Sequence, residues 1–441
     1  MTVYDAIIIG AGISGLLSAL VLSKNEKKVL ILEKQEKLGG ICQSYKINGY
    51  TVDNGPHIIT RLENGPLRKL IIQYFDVSPD FIYHGEYYVR DKDKYYSFPW
   101  NLKSFSTFSL IPRKDRAVIL QILISTYGRR LMGEDFLNTS VYDLLEKRNI
   151  NKTTMRFVDT LCYFMTGVDS KKASVARFLD SLDYKSKSKG IITIHGIDPQ
   201  AYLSKIIKLL TKKGAEDQGY PKGGIRTIIN CIVQSLNAEI KTGEEVKEIL
   251  IENNTVIGVK TQKREYKGKI VIYSGYASEL PNIVEVPEDY ERELRKLEKV
   301  YTLTLWLGLN KKYFQRRGSE IWIDPKCWVV PVSNYDPDLA PEGKQLVGFG
   351  FVLPKEYNLE EEKKKALDGI KRIFPEIEED IDFMHWQVLV PEKAAWSINQ
   401  KMPGNVTPIK NLYLVGTDTT EKSMGITRAS YSVLDLMEVI K

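Results

Sequence analysis

Hydrophobic positions in this chain alternate between strand-like runs and helical spacing, and the order of the two is informative. Residues 3–10 (VYDAIIIG) form an apolar run closed by glycine, the pattern of a parallel strand buried on both faces. Residues 16–23 continue as an apolar helical stretch, and 28–34 (KVLILEK) return to strand and reach an acid, Glu33. Near the other end, 411–415 (NLYLV) is a short apolar strand running into Gly416, Thr417 and Asp418, and Met424, Gly425 and Ile426 open a last helix through residue 440. In between, 116–127, 141–148, 155–165 and 201–212 carry helical patterns. Residues 300–309, 327–332 and 345–353 read as strands, 359–373 as a helix, and 246–274 as a hairpin turning at Asn253-Asn254 followed by a strand from 269.

The first unit carries chemistry. Gly10-Ala11-Gly12-Ile13-Ser14-Gly15 fits G-x-G-x-x-G between a strand and a helix, with Glu33 eighteen residues after Gly15. Gly10 permits the tight turn, Gly12 lets a pyrophosphate approach the backbone, and Gly15 lets helix pack on sheet. The helix N-terminus offers free N–H groups to phosphates. Glu33 would accept hydrogen bonds from both ribose hydroxyls and repel a 2′-phosphate, which disfavours NADP. The acid alone does not separate NAD from FAD. A second glycine pair, Gly39-Gly40, behind Glu33-Lys34 points to backbone passing near a longer cofactor.

Composition removes other classes. In 441 residues, 63 basic residues stand against 56 acidic ones without clustering, so no nucleic-acid partner is expected. Cys42, Cys162, Cys231 and Cys327 include no C-x-x-C, and His57, His84, His195 and His385 no H-E-x-x-H, so neither a metal site nor a redox dithiol is expected. No secretory signal and no apolar run long enough to span a bilayer is evident, which reads as cytoplasmic with reduced thiols.

Together with Tyr220-Pro221-Lys222-Gly223-Gly224-Ile225 and the 240–246 block ending at Val246, these motifs resemble the FAD-dependent amine oxidase and phytoene desaturase superfamily, which includes protoporphyrinogen oxidase and UDP-galactopyranose mutase. The resemblance covers both ends and the middle of the chain. It implies an α/β fold: a Rossmann-like FAD-binding domain assembled from 1–79, 220–275 and 405–441, and an α+β substrate-binding domain from 80–219 and 276–404. It implies FAD held by Gly10, Gly12, Ile13, Ser14, Gly15, Glu33, Lys34, Gly39, Gly40, Gly55, Pro56, His57, Ile58, Val246, Gly416, Asp418, Met424, Gly425 and Ile426, with the Val246 backbone at the adenine. Asp418 would bond a ribityl hydroxyl or phosphate-side group, and the last helix N-terminus would favour anionic reduced flavin.

In this class the flavin is the reagent, so few acid–base residues are expected. His57, in a Gly-Pro-His segment similar to that of the mutases, is the one catalytic candidate. It either polarises the flavin and substrate or only hydrogen-bonds its own loop. Lys393 lies where amine oxidases keep a lysine near flavin N5, and its sequence setting reads rather as a surface lysine. Arg428 would meet a phosphate or cap the helix region. Residues 98–124, with Phe98, Trp100, Phe105 and Phe108 before Arg113, Lys114 and Arg116, read either as an interfacial membrane anchor or as core of a helical subdomain. Either way an apolar path to the flavin follows, and with it a hydrophobic substrate.

The expected activity is hydride transfer to or from flavin on an isoprenoid-like substrate, as in the phytoene desaturase-like branch. Porphyrinogen or amine oxidation and sugar-ring contraction stand as alternatives on the same fold, and a prenyl-binding GDI-like protein as one of another class. There is no second G-x-G-x-x-G, since Gly348-Phe349-Gly350 lacks the third glycine. A diffusible acceptor (oxygen, a quinone or another) is therefore expected in place of a nicotinamide domain.

Overall fold

The computed structural model describes residues 2–182 and 217–440. The helical stretch expected at 201–212 and His195 fall outside them. Strand Val3–Ile9 lies at the centre of a seven-stranded sheet. It pairs in parallel with Val29–Leu32 on one side and Glu265–Tyr273 on the other; Glu239–Lys241 and Leu412–Leu414 extend the parallel set at either end. An antiparallel pair, Val246–Glu252 and Thr255–Thr261, adjoins the first half of Glu265–Tyr273. Its two-residue turn places Asn253 and Asn254 in the left-handed region, where asparagine is tolerated.

Helix Ile13–Lys24 is buried through eleven consecutive positions, because it is covered by helices Pro66–Tyr74, Arg226–Ser235 and Gly425–Val439 as well as by the sheet. The fold is a Rossmann-like α/β layer structure, drawn from three remote stretches of chain. Crossovers of right-twisted parallel strands place the strand C-termini, and the loops that follow them, along one edge.

A second seven-stranded sheet runs in the order Ile381–Glu392, Val300–Leu309, Gln345–Val352, Lys326–Val330, Gly318–Ile323, Glu86–Asp91, Lys94–Ser97. Its last two strands come from the stretch that reads as helix-rich in sequence, and they join through the parallel pairing of Glu86–Asp91 with Gly318–Ile323. Helices Arg113–Leu131, Val141–Glu146, Lys152–Thr166 and Val175–Leu182 pack as a layer with their own core around Phe108, Phe157, Cys162 and Leu179. All four cysteines are buried free thiols. Among the described residues there is no cluster able to hold a metal and no helix long and apolar enough to cross a membrane.

Candidate functional site

The glycine loop is built as its residue types require. Gly12 precedes helix Ile13–Lys24 with no side-chain cap, which leaves the first-turn N–H groups available. A Cβ on Gly12 would project into open space, whereas one on Gly15 would sit 2.1 Å from the Gly10 carbonyl oxygen. Gly10 turns at φ +96°. The second glycine pair packs on this loop. Gly39 N–H donates to the Ala11 carbonyl at 2.7 Å, and a Cβ on Gly40 would lie 3.2 Å from Gly12 Cα. Glu33, 7% exposed, accepts the Ala11 N–H at 2.6 Å and the Gln35 N–H at 2.9 Å. It therefore staples the loop as well as facing the groove.

The Tyr220–Ile225 block acts one layer back. The Tyr220 hydroxyl and the Ile225 N–H both donate to the Asp53 carboxylate, at 2.7 and 3.0 Å. The backbone N–H of Arg226 donates to Ser44 Oγ, and its guanidinium donates to the Leu38 carbonyl and to Gln43. A Cβ on Gly224 would collide with Ser44 and Asp53. This motif thus holds two cavity-lining loops, 38–43 and 53–58, in register.

These parts converge on one cavity of about 2590 Å³. That is well above the ~300–1,000 Å³ of a single small-ligand pocket. Its groove is lined by Gly10, Gly12, Ile13 and Ser14, by Glu33 and Lys34, by Gly39 and Gly40, and by Val246. Further along lie Gly55, Pro56, His57 and Ile58, opposite Met424, Gly425 and Ile426 at the N-terminus of the last helix. From there the cavity opens into a chamber between the helical layer (Ile119, Leu123, Phe157, Leu161, Phe178) and the second sheet (Thr302, Thr304, Trp328, Leu389).

Several expectations need correction. Gly416 and Asp418 do not line the cavity; Thr417 and Thr419 do. The chain turns at 416–419 after strand Leu412–Leu414, and that turn faces Asp418 inward. It is 1% exposed, and its carboxylate accepts the Ala277 N–H at 2.7 Å. Gly15 also lies off the cavity, as its packing role demands. Lys393 is not on the surface. It lines the cavity half-buried and donates to the carbonyls of Ser274 and Gly275 at 2.7 and 2.6 Å. Burial pulls its ammonium below the usual lysine range, with Asp418 and Glu279 opposing. Arg428 reaches no phosphate groove. It is 1% exposed and clamps Glu392 at 3.1 Å and the carbonyls of Thr420 and Ala394 at 2.8 Å. Glu392 in turn accepts the Gly425 N–H, so the pair fixes the turn into the last helix.

Of the 98–124 segment, Phe108, Leu110 and Ile111 are core, Trp100 and Phe105 are half-buried, and Ile119 and Leu123 are chamber wall. Ile124 stands out, 71% exposed.

His57 Nε2 lies 2.7 Å from the Asn54 carbonyl oxygen of its own loop, and the side chain lines the cavity. Burial holds its pKa below the usual histidine value, with the Asp53 carboxylate opposing. Residues with no motif to announce them also matter: Gln387 and Glu392, carried in from the second sheet, and Ser274, whose buried hydroxyl finds no partner beside the glycine loop among the described residues. Tertiary approach alone brings them to the site.

An uncapped glycine turn, a buried acid beside it and a groove leading into a largely apolar chamber fit a dinucleotide-dependent oxidoreductase. The chain belongs to the flavin containing amine oxidoreductase family, whose pattern matches residues 13–430. It is 24% identical over 431 residues to a 1-hydroxycarotenoid 3,4-desaturase from Flavobacterium sp. (strain P99-3), covering 88% of this chain and 85% of that one. It is 24% identical over 283 residues to human all-trans-retinol 13,14-reductase, covering 59% of this chain and 44% of that one. The crystal structure of an oxidoreductase from Methanosarcina mazei superposes with a TM-score of 0.80 at 21% identity, over 98% of this chain and 99% of that one, which is a likeness of fold. The chain is a flavin-dependent oxidoreductase, and FAD is its cofactor. The residues present fit that group: a Cβ-free cradle at Gly12, free helix N–H groups, a Ser274 hydroxyl with no partner among the described residues, and a roomy groove beside them.

Proposed function

We propose that this protein moves a hydride between FAD and a hydrophobic, isoprenoid-like substrate, in the manner of the phytoene desaturase-like branch. The observation that carries the reading is the chamber. It is continuous with the dinucleotide groove, and its helical wall is mostly aliphatic and aromatic, with Thr126, Arg130, Glu134 and Asp135 the polar exceptions. A polar substrate placed there would leave hydrogen-bonding groups unpaired. The carotenoid- and retinol-acting relatives support the same substrate class.

When bound, FAD supplies two-electron hydride chemistry. The chain's own residues do the rest. Gly10 to Ser14 would hold the pyrophosphate, Glu33 the ribose, and the Val246 backbone the adenine. The Gly55–Ile58 loop and the Met424–Ile426 turn would flank the ring, with the Glu392–Arg428 pair fixing that turn. His57 presents an imidazole able to hold or take a proton. The apolar chamber walls orient the substrate and exclude water. Electrons then pass to a diffusible acceptor.

Ile124 and Met132, 71% and 76% exposed, lie on and just beyond helix Arg113–Leu131, whose other end exposes Arg113 and Lys114. These exposed apolar side chains support peripheral membrane contact beside the chamber.

The test is anaerobic. Oxidised enzyme is mixed with polyisoprenoids, porphyrinogens, amines or nucleotide sugars while the flavin absorbance is followed, and dithionite-reduced enzyme is run in reverse. Exchange with an isoprenoid and not with amines is the expected result. Turnover of a UDP-sugar or a porphyrinogen instead would overturn the substrate assignment, and rapid bleaching by NADPH would overturn the diffusible-acceptor assignment.

A further inference from the structure

The Asn54–Gly55 peptide sits at the entrance to the loop that carries His57, and both of its polar ends are engaged. Its carbonyl meets His57 Nε2 at 2.7 Å. A carbonyl oxygen only accepts, so Nε2 carries the hydrogen, and in the neutral ring Nδ1 is left as a lone-pair acceptor. No protein group among the described residues occupies Nδ1. The N–H of the same peptide donates to Gln387 Oε1 at 3.0 Å. The loop itself is in an unusual shape: Gly55 has φ +78°, and a Cβ there would lie 3.2 Å from Leu389 Cδ1. Gln387 and Leu389 are two residues apart on strand Ile381–Glu392, so they share one face of the second sheet. One grips the loop by a hydrogen bond and the other by contact.

The Gln387 amide has only one workable orientation. Oε1 accepts Gly55 N–H and, at 3.3 Å, Trp306 Nε1–H. Nε2 donates to the Asp53 carbonyl at 3.0 Å and to the Tyr45 hydroxyl at 2.8 Å. Turned over, the amide would set its NH₂ against two N–H donors and its oxygen against a carbonyl. The Tyr45 hydroxyl, accepting from Gln387, also lies in hydrogen-bond contact with His385 Nε2 at 2.7 Å.

We propose that Gln387 is the positioning residue for His57: through the Asn54–Gly55 peptide it locks the imidazole as the Nε2–H tautomer and leaves Nδ1 as the accepting atom at the cavity. Donation runs one way, from the imidazole N–H to the peptide carbonyl and from the peptide N–H to Gln387 Oε1. A carboxamide on one domain layer thereby sets which nitrogen of a histidine on another can take a proton or a substrate hydrogen bond. This rests on the reading of His57 as the cavity-facing group of the proposed site.

The experiment uses FAD-loaded protein with ¹⁵N-labelled histidine, the His57 signals being identified among the four histidines by their loss in His57→Asn. The wild type is expected to show two well-separated ring-nitrogen shifts, protonated at Nε2 and bare at Nδ1. Gln387→Met keeps the side-chain length and removes every hydrogen bond; its His57 shifts should move toward the averaged values of an exchanging imidazole while the flavin spectrum persists. Gln387→Glu keeps an acceptor for Gly55 N–H and should restore most of the separation. A folded, yellow Gln387→Met protein with wild-type His57 shifts overturns the proposal. Should that variant not fold, Gln387→Asn, one methylene too short to reach Gly55 N–H, is read the same way. These shifts do not depend on which substrate is turned over. A failure with isoprenoids and a failure of the Gln387–His57 link are therefore separate results.

Discussion

Replacing Glu33 by Ala separates two functions that the carboxylate combines. In the structure its two oxygens already accept the Ala11 and Gln35 N–H groups. Two carboxylate oxygens offer about four acceptor sites, so roughly two remain for the ribose hydroxyls. Ala11 is fully buried, and the variant strands its N–H without a partner. Gln35 is exposed, so water replaces the lost acceptor there. The apo protein should therefore lose about 1.5–3 kcal/mol, the worth of one hydrogen bond to a charged group. FAD binding should lose the two ribose bonds in addition, about 3–6 kcal/mol, which raises Kd by roughly 10² to 10⁴-fold. Urea unfolding of the apo protein measures the first quantity, and fluorescence titration of apo protein with FAD the second. If stability falls while FAD affinity stays at the wild-type value, Glu33 is a loop staple only. If neither changes, the assignment of the groove is wrong.

Arg428→Met should be severe, because it leaves the Glu392 carboxylate buried without its cation; a loss of about 3–5 kcal/mol is expected in urea unfolding, and a cost below 1 kcal/mol would refute the clamp. Gly55→Ala forces a side chain into a left-handed backbone against Leu389, and should cost about 1 kcal/mol or more and perturb the bound flavin spectrum. His84 is buried with its pKa lowered from 6.5 to about 4, and Ser319 at 2.7 Å from Nε2. The unfolded state therefore takes up a proton the folded state refuses, and stability falls as pH drops from 6.5 toward 4, approaching about 3 kcal/mol below both values. The same pH series on His84→Gln should be flatter by that amount, and an equal slope would show that His84 does not titrate this way. Ile124→Ser with Met132→Ser should lower binding to anionic liposomes at unchanged melting temperature, whereas Trp100→Ser with Phe105→Ser should lower the melting temperature, since both rings are half-buried; no liposome binding by the wild type would remove the membrane contact.

The first forty residues determine a great deal without help. A βαβ unit is local: the left-handed turn at Gly10, the missing side chain at Gly12, the buried helix behind them and the acid at the next strand end are dictated within a short stretch, and the structure reproduces each in place. The same locality made the Asn253-Asn254 hairpin legible, because a two-residue turn draws on its own two residues. What lies farther apart in the chain could not be read. The hairpin at 86–97 completes a sheet whose other strands begin at 300, so its pairing is invisible to any window of sequence. Asp418 stands two residues after a cofactor-like glycine, yet the turn that follows the strand sends it into the core and puts Thr417 on the cavity. Lys393 and Arg428 carry charges that ordinarily stay in water, and only carbonyls and a carboxylate supplied by other segments make their burial tolerable. Gln387 is 332 residues from the peptide it holds. Glutamine has no periodicity or spacing that marks such a role; the approach of the second sheet to the 54–57 loop decides it, because a hydrogen bond acts over about 3 Å and chain distance does not enter.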